Sequence, residues 1–267
     1  MGSGSGVGDL PAPLVPLLAD PPATALLTDF DGTLAPIVAD PAAARALPGV
    51  AALLRALAGR FGVVGVVSGR PAAFLLDRLA GSGPAVRLVG HYGLEWVEAG
   101  EIVRHPDVLA WLEPVAGTLE AARAEAPPGV GVEAKGISLT LHWRQAPGAE
   151  EWALEFGRDW AERTGLAVQR GRMALELRPP LAVDKGRVVE DLAGGCRAAG
   201  FFGDDAGDLA AFAGLDRLAA TGVRTVKVAV ADPESPADLV AAADLVLDSP
   251  AAAVAALESL VGAAGAS

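Results

Sequence analysis

One cysteine, three histidines and a shortage of cations mark what this 267-residue chain has little of. Cys196 alone can form neither an internal disulfide nor a cysteine zinc knuckle, which fits a reducing, cytoplasmic compartment. His91, His105 and His142 are too scattered along the chain to suggest a zinc site. The first basic side chain is Arg45, so no secretory leader is expected. No uninterrupted apolar run reaches about 18 residues, so no membrane span is expected either. Lys and Arg total 21 against 33 Asp and Glu, a formal net charge of −12. That excess argues against nucleic acid or an anionic membrane as the main partner. An anionic substrate would need locally gathered cations or a metal ion.

Hydrophobic residues make up 52% of the chain, which is ample for a packed core. Ala25-Leu26-Leu27-Thr28 is a short apolar run that ends in Asp29-Phe30-Asp31-Gly32-Thr33. Such runs, lacking polar alternation, predict strands buried on both faces, as in a parallel sheet. Gly62 to Val67 ends in Ser68-Gly69-Arg70, and Ala198 to Phe202 ends in Gly203-Asp204-Asp205. Val226 to Val230 and Leu245 to Leu247 follow as further strands. Helices are predicted over Gly49 to Ala58, Pro71 to Leu79, Lys185 to Leu192 and Leu209 to Ala213. Strand–helix alternation predicts a doubly wound α/β sheet, in which ligands sit outside the carboxyl ends of the strands. The polar clusters fall at those ends each time.

Residues 101–180 break this rhythm. Helices are predicted over Val108 to Ala126 and Glu150 to Thr164. Strands are predicted over Gly129 to Lys135, Ile137 to Arg144, Leu166 to Arg170 and Met173 to Arg178. The turns at Lys135-Gly136 and Arg170-Gly171 suggest two hairpins. The segment reads as an α+β domain inserted between 23–100 and 181–267, with a flexible tail over 1–22. In Ile137 to Arg144, apolar residues alternate with Ser138, Thr140, His142 and Arg144. In Met173 to Arg178, Glu176 and Arg178 share the polar side. Period-2 patterning places one set on each face. One face is then polar, with His142, Arg144, Glu176, Glu133 and Lys135. A solvated sheet face would read the same, but the inserted position beside a catalytic cluster suggests a substrate lid.

The DFDGT run pairs two carboxylates at a strand end. Asp29 can attack a phosphorus atom in line, and Asp31 can protonate the leaving oxygen and then activate water. Two carboxylates repel a phosphate dianion, so a divalent cation is expected, and oxygen ligands point to Mg²⁺. Ser68 has a hydroxyl for a phosphoryl oxygen, or an N-cap for the helix that follows. Lys185 can neutralise phosphate and the attacking carboxylate, or be an ordinary surface lysine. Asp204, Asp205 and Asp208 crowd a third strand end, which is self-repelling without a cation.

These elements, in this order, resemble the haloacid dehalogenase superfamily. Within it, the chain resembles the trehalose-6-phosphate phosphatase family from about Ala23 to Leu260. The stretches that carry the resemblance are DFDGTLAPI (29–37), VSGR (67–70), GHYGLE (90–95), VEAKGISLTLHWR (132–144), LELRP (175–179), DKG (184–186) and GDDAGD (203–208). The resemblance implies a parallel-sheet core with an inserted cap of the larger, C2 type. It implies Asp29 as nucleophile, Asp31 as general acid/base, and Ser68 and Lys185 on the phosphoryl group. Mg²⁺ would be held by Asp29, the main-chain carbonyl of Asp31 and Asp204, with Asp205 or Asp208 in support. Glu133, Lys135 and Glu176 would grip sugar hydroxyls, with His142 and Arg144 on the same face and Thr33, Gly69 and Arg70 beside the phosphate. Arg70, Lys135, Arg144, Lys185 and the metal would concentrate positive charge in an acidic protein.

The expected partner is a small sugar phosphate, and a monomer is expected. Joints near Glu98 to Glu101 and Pro179 to Val183 are expected to act as hinges. The chain departs from the family pattern at Tyr92 and Trp143, and at Gly207 and Leu209 in its last motif. Those at Tyr92 and Gly207 raise a phosphatase for a related sugar phosphate as the alternative. A non-catalytic sugar-phosphate-binding partner of a trehalose synthase is a further one.

Overall fold

The computed structural model describes residues 10–38, 40–171, 173–231 and 235–265. Two compact units emerge, one formed by Met1–Val103 and Val183–Ser267, the other by Arg104–Ala182. No described helix is long and apolar enough to cross a membrane.

The first unit is built on an eight-stranded sheet. In chain order it contains β1 (Thr24–Thr28), α1 (Val50–Ala58), β2 (Val63–Val67), α2 (Ala72–Arg78) and β3 (Val86–Gly90). β4 (Glu95–Glu98) and β5 (Glu101–Arg104) finish one edge. In the second unit follow α3 (Leu112–Glu125), β6 (Gly131–Ala134), β7 (Leu139–His142), α4 (Glu150–Thr164), β8 (Ala167–Gly171) and β9 (Ala174–Arg178). The chain then returns through α5 (Lys185–Ala193), β10 (Ala198–Gly203), α6 (Asp208–Ala220) and β11 (Arg224–Val230). It ends with α7 (Ala237–Ala242), β12 (Leu245–Leu247) and α8 (Pro250–Ala264).

The sheet order is β12-β11-β10-β1-β2-β3-β4-β5. Pairing is parallel from β12 to β3 and antiparallel between β3 and β4. From β1 the chain builds outward on one side through β2 and β3, and later on the other side through β10 to β12. The switch point therefore lies between β1 and β10, where doubly wound sheets bind ligands.

Every residue of β1 is buried, as expected for a strand covered on both faces. Leu26 packs with Phe202, Val64 and residues of α1 and α8. Its neighbour Leu27 points the other way, into a cluster with Phe201 of β10, Val189 of α5 and Phe212 of α6. Each fully buried Leu or Phe side chain stabilises the fold by roughly 1.5–3 kcal/mol relative to exposure. Phe201 and Phe212 meet edge to face at 6.5 Å. The flexible tail expected over 1–22 is corrected for 10–22, while 1–9 lie outside the described residues. Ala12–Leu18 forms a 3₁₀ helix that sinks Leu14 and Leu17 into the core. Burial of these two leucines outweighs the breaking tendency of the neighbouring prolines.

The second unit is a four-stranded antiparallel sheet, β6-β7-β9-β8, with α3 and α4. Leu139, Leu141, Leu175 and Leu177 face Val115 and Ala122 of α3 and Phe156 of α4. The alternate residues form the opposite, polar face.

Candidate active site

Asp29 follows β1 directly, and its main-chain N–H donates to Phe202 O of β10 at 2.8 Å. Its carboxylate is thus set at the switch point and is only 4% exposed. Lys185, the first residue of α5, is as deeply buried. Its helix is capped by the Asp184 carboxylate, which accepts from Arg187 N at 2.9 Å. Lys185 Nζ lies 3.0 Å from Asp29 Oδ1 and 2.6 Å from Asp208 Oδ1. The contact to Asp29 is an ion pair without hydrogen-bond geometry. Asp29 Oδ1 has no hydrogen-bond partner among the described residues.

Asp208, the first residue of α6, is fully buried and uses both oxygens. One accepts from Lys185; the other accepts the main-chain N–H of Asp204 at 2.8 Å and of Asp205 at 3.2 Å. Asp208 therefore shapes the loop that presents Asp204. Thr33 Oγ1 donates to Asp204 Oδ1 at 3.3 Å. Gly32 holds a positive φ of 70°, and a β-carbon there would come within 1.9 Å of Asp204 Oδ2. Glycine is required both by the backbone conformation and by the carboxylate packed against it.

Carboxylate oxygens of Asp29, Asp204 and Asp208 lie within 4.8 Å of one another. Burial pushes the Asp29 carboxyl up to about 8 against the pull of Lys185, with Asp208 and Asp205 adding to the rise. Burial also pushes Asp204 up to about 9, helped by Asp29, Asp208 and Asp205. Burial opposes the charge on Lys185, but Asp29, Asp208 and Asp205 outweigh it and raise its pKa. Crowded buried carboxylates of raised proton affinity, with an orphaned oxygen on Asp29, suit a small hard cation. Asp205 is exposed, and its Oδ1 accepts the Gly207 N–H at 2.8 Å. It stands outside the group of three.

Asp31 is gripped by Arg70, Nε to Oδ2 at 2.7 Å and Nη2 to Oδ1 at 2.8 Å. Ser68 is buried after β2, and its Oγ accepts the Arg70 N–H at 3.2 Å. Tyr92 donates its N–H to Ser68 O at 3.0 Å. Its hydroxyl lies where a β-carbon on Gly69 would approach to 2.5 Å, so Gly69 leaves room for that ring. Sequence reasoning missed Phe74. Its ring lies 4.7 Å beneath the Arg70 guanidinium and 5.7 Å edge-on from Phe30. Its place one turn after Arg70 on the next helix was the available signal.

The second unit gathers the remaining predicted residues on its polar sheet face. His142 Nε2 meets Glu133 Oε2 at 2.8 Å. Ser138 Oγ donates to Glu176 Oε1 at 2.6 Å, and Lys135 Nζ stands 3.6 Å from Glu176 Oε2. Arg144 lies just past the end of β7 and is exposed.

The trehalose-phosphatase family model matches residues 27–243. The chain belongs to the trehalose-phosphatase family. It is 34% identical over 242 residues to a trehalose-phosphate phosphatase of Mycolicibacterium paratuberculosis, covering 86% of this chain and 60% of that protein. It is also 34% identical over 172 residues to an uncharacterized glycosyl hydrolase of Mycobacterium tuberculosis, covering 62% of this chain and 13% of that one. The chain thus spans less than two thirds of the length of either relative. The fold matches a trehalose-6-phosphate phosphatase related protein with a TM-score of 0.75, at 23% identity, over 89% of this chain and 97% of the other. It matches the C-terminal domain of the C. albicans trehalose-6-phosphate phosphatase with a TM-score of 0.71, at 24% identity, over 95% and 97%. Both are likenesses of fold.

Proposed function

We propose that the chain is a Mg²⁺-dependent phosphatase that hydrolyses trehalose 6-phosphate to trehalose and phosphate. The observation that carries this reading is the meeting of Asp29, Lys185 and Asp204 at the switch point of the sheet, with Asp31 on the same loop. Asp29 attacks phosphorus in line, forming an aspartyl phosphate as the bond to the sugar oxygen breaks. Asp31 gives that oxygen its proton. It then takes a proton from the water that attacks phosphorus, which frees Asp29 and inorganic phosphate. Lys185 and Ser68 hold phosphoryl oxygens, and Arg70 holds Asp31 in place. Asp29, Asp204 and the main-chain carbonyl of Asp31 would hold Mg²⁺, which would offset the negative charge of the nucleophile and the phosphate. Asp208 supports this set by fixing Lys185 and the Asp204 loop.

Glu133, Lys135, His142 and Glu176 supply hydrogen bonds for sugar hydroxyls on the second unit's polar face, with Arg144 beside them. A cytoplasmic monomer completes the reading. A second reading, a phosphatase for a related sugar phosphate, is favoured by Tyr92, which stands against Gly69 where the family commonly has histidine. Phosphate release from a panel of sugar phosphates, with Mg²⁺ and with chelator, tests both. The first reading expects Mg²⁺-dependent release with at least tenfold preference for trehalose 6-phosphate. Preference for another sugar phosphate supports the second, and binding without turnover rejects both.

A further inference from the structure

Among the described residues, the polar sheet face of the second unit holds a buried hydroxyl that its own network leaves out. Thr140 lies in the middle of β7, opposite Glu133 of β6 and Glu176 of β9. The three side chains form a row across the sheet. Its outer members are engaged: Glu133 with His142, and Glu176 with Ser138 and Lys135. Thr140 is 4% exposed, yet its Oγ1 has no hydrogen-bond partner among the described residues. A buried hydroxyl without a partner lowers stability, and valine would fill the same space without that cost. Such a group is explained when a ligand supplies the missing partner.

The chemistry of the row defines that ligand. Two carboxylates accept hydrogen bonds, and the hydroxyl between them both accepts and donates. A molecule with neighbouring hydroxyls matches this sequence of groups, whereas a simple aryl phosphate has nothing to offer it. We propose that Thr140 is a specificity-determining residue that hydrogen-bonds a sugar hydroxyl between Glu133 and Glu176. The inference rests on the sugar-phosphatase reading above and adds a residue to it. Sites built to pair a substrate hydroxyl discriminate strongly against ligands that leave the site's own polar group unpaired.

The test compares the full chain with Thr140→Val and Thr140→Ser, using trehalose 6-phosphate and p-nitrophenyl phosphate with Mg²⁺. Val is expected to lower kcat/KM for trehalose 6-phosphate about tenfold, mainly through KM, as the loss of one hydrogen bond implies. Ser keeps the hydroxyl and is expected to stay within about threefold of the parent. Turnover of p-nitrophenyl phosphate is expected to be the same in all three proteins, and the melting temperature of the Val variant equal or higher. An unchanged kcat/KM in Val, a Ser variant as poor as Val, or equal losses on both substrates overturns the inference alone. A parent that turns over p-nitrophenyl phosphate but not trehalose 6-phosphate overturns the reading and the inference together.

Discussion

Arg70 holds the carboxylate of Asp31 as a two-pronged fork, with hydrogen bonds of 2.7 and 2.8 Å. The fork is itself braced, because the guanidinium stacks on Phe74 and Phe74 packs on Phe30, the residue between the two carboxylates of the motif. A lysine keeps the charge but loses the planar fork. Arg70→Lys is expected to slow turnover of trehalose 6-phosphate by roughly tenfold or more. The loss with p-nitrophenyl phosphate should be smaller, because a good leaving group needs less help from Asp31. Steady-state rates on both substrates check this, and equal losses would place Arg70 on phosphate binding alone.

Proton linkage makes the carboxylate cluster a stability sensor. Burial raises Asp29 from 3.8 to about 8 against the pull of Lys185, and raises Asp204 from 3.8 to about 9 with its carboxylate neighbours adding to the rise. In the cation-free protein the folded state therefore binds more protons than the unfolded state between these limits. Stability is highest near or below pH 4 as far as these groups are concerned, and falls as pH rises toward 8–9. Lys185, raised above its ordinary value, does not titrate in this window. On the proposed reading Mg²⁺ would bind the deprotonated carboxylates, so its stabilising effect should grow over the same range. Thermal melts with Mg²⁺ and with chelator at pH 5 and pH 8 check the sign. A Mg²⁺-induced shift in melting temperature that is equal at both pH values, or larger at pH 5, contradicts it.

Gly32 offers a separate test of the cation site. Gly32→Ala faces both a left-handed backbone and a β-carbon 1.9 Å from Asp204 Oδ2. It is expected to displace Asp204, remove the Mg²⁺-induced thermal shift and destabilise the fold by more than about 1 kcal/mol. Gly136 has a similar φ of 86°, but a β-carbon there would meet nothing within 4 Å. Gly136→Ala is therefore expected to cost only the backbone strain, about 1 kcal/mol, and to leave the Mg²⁺ response intact.

Much of this arrangement is legible in the sequence where local pattern and tertiary role coincide. Apolar runs ending in DFDGT, VSGR and GDD locate β1, β2 and β10 to within about a residue, because strands buried on both faces leave no other reading. The helix expected over Glu150 to Thr164 is α4 with the same bounds. Where alanine blurs periodicity, the reading falls short. The helix expected over Leu209 to Ala213 extends from Asp208 to Ala220, and α8 has no strong apolar stripe to announce it. The 3₁₀ helix at Ala12–Leu18 is hidden by its prolines. In the site, residue types at strand ends pointed to Asp29 and Asp204, and a lysine opening a predicted helix pointed to Lys185. Three-dimensional facts did not follow from spacing: Asp208 spending both oxygens on Lys185 and two amides, Asp205 facing outward, and Thr140 lacking a partner among the described residues.

The central claim is that Asp29 is the nucleophile toward trehalose 6-phosphate. The most direct measurement is Mg²⁺-supported phosphate release from that substrate by the parent and by Asp29→Asn, with melting curves of both. Lys185 keeps its ion pair with Asp208 when the Asp29 charge is removed, so the variant is expected to remain folded, with a smaller Mg²⁺-induced rise in melting temperature than the parent. Its turnover should fall by at least about a thousandfold. A folded Asp29→Asn protein that still releases phosphate at a rate near that of the parent would contradict the account.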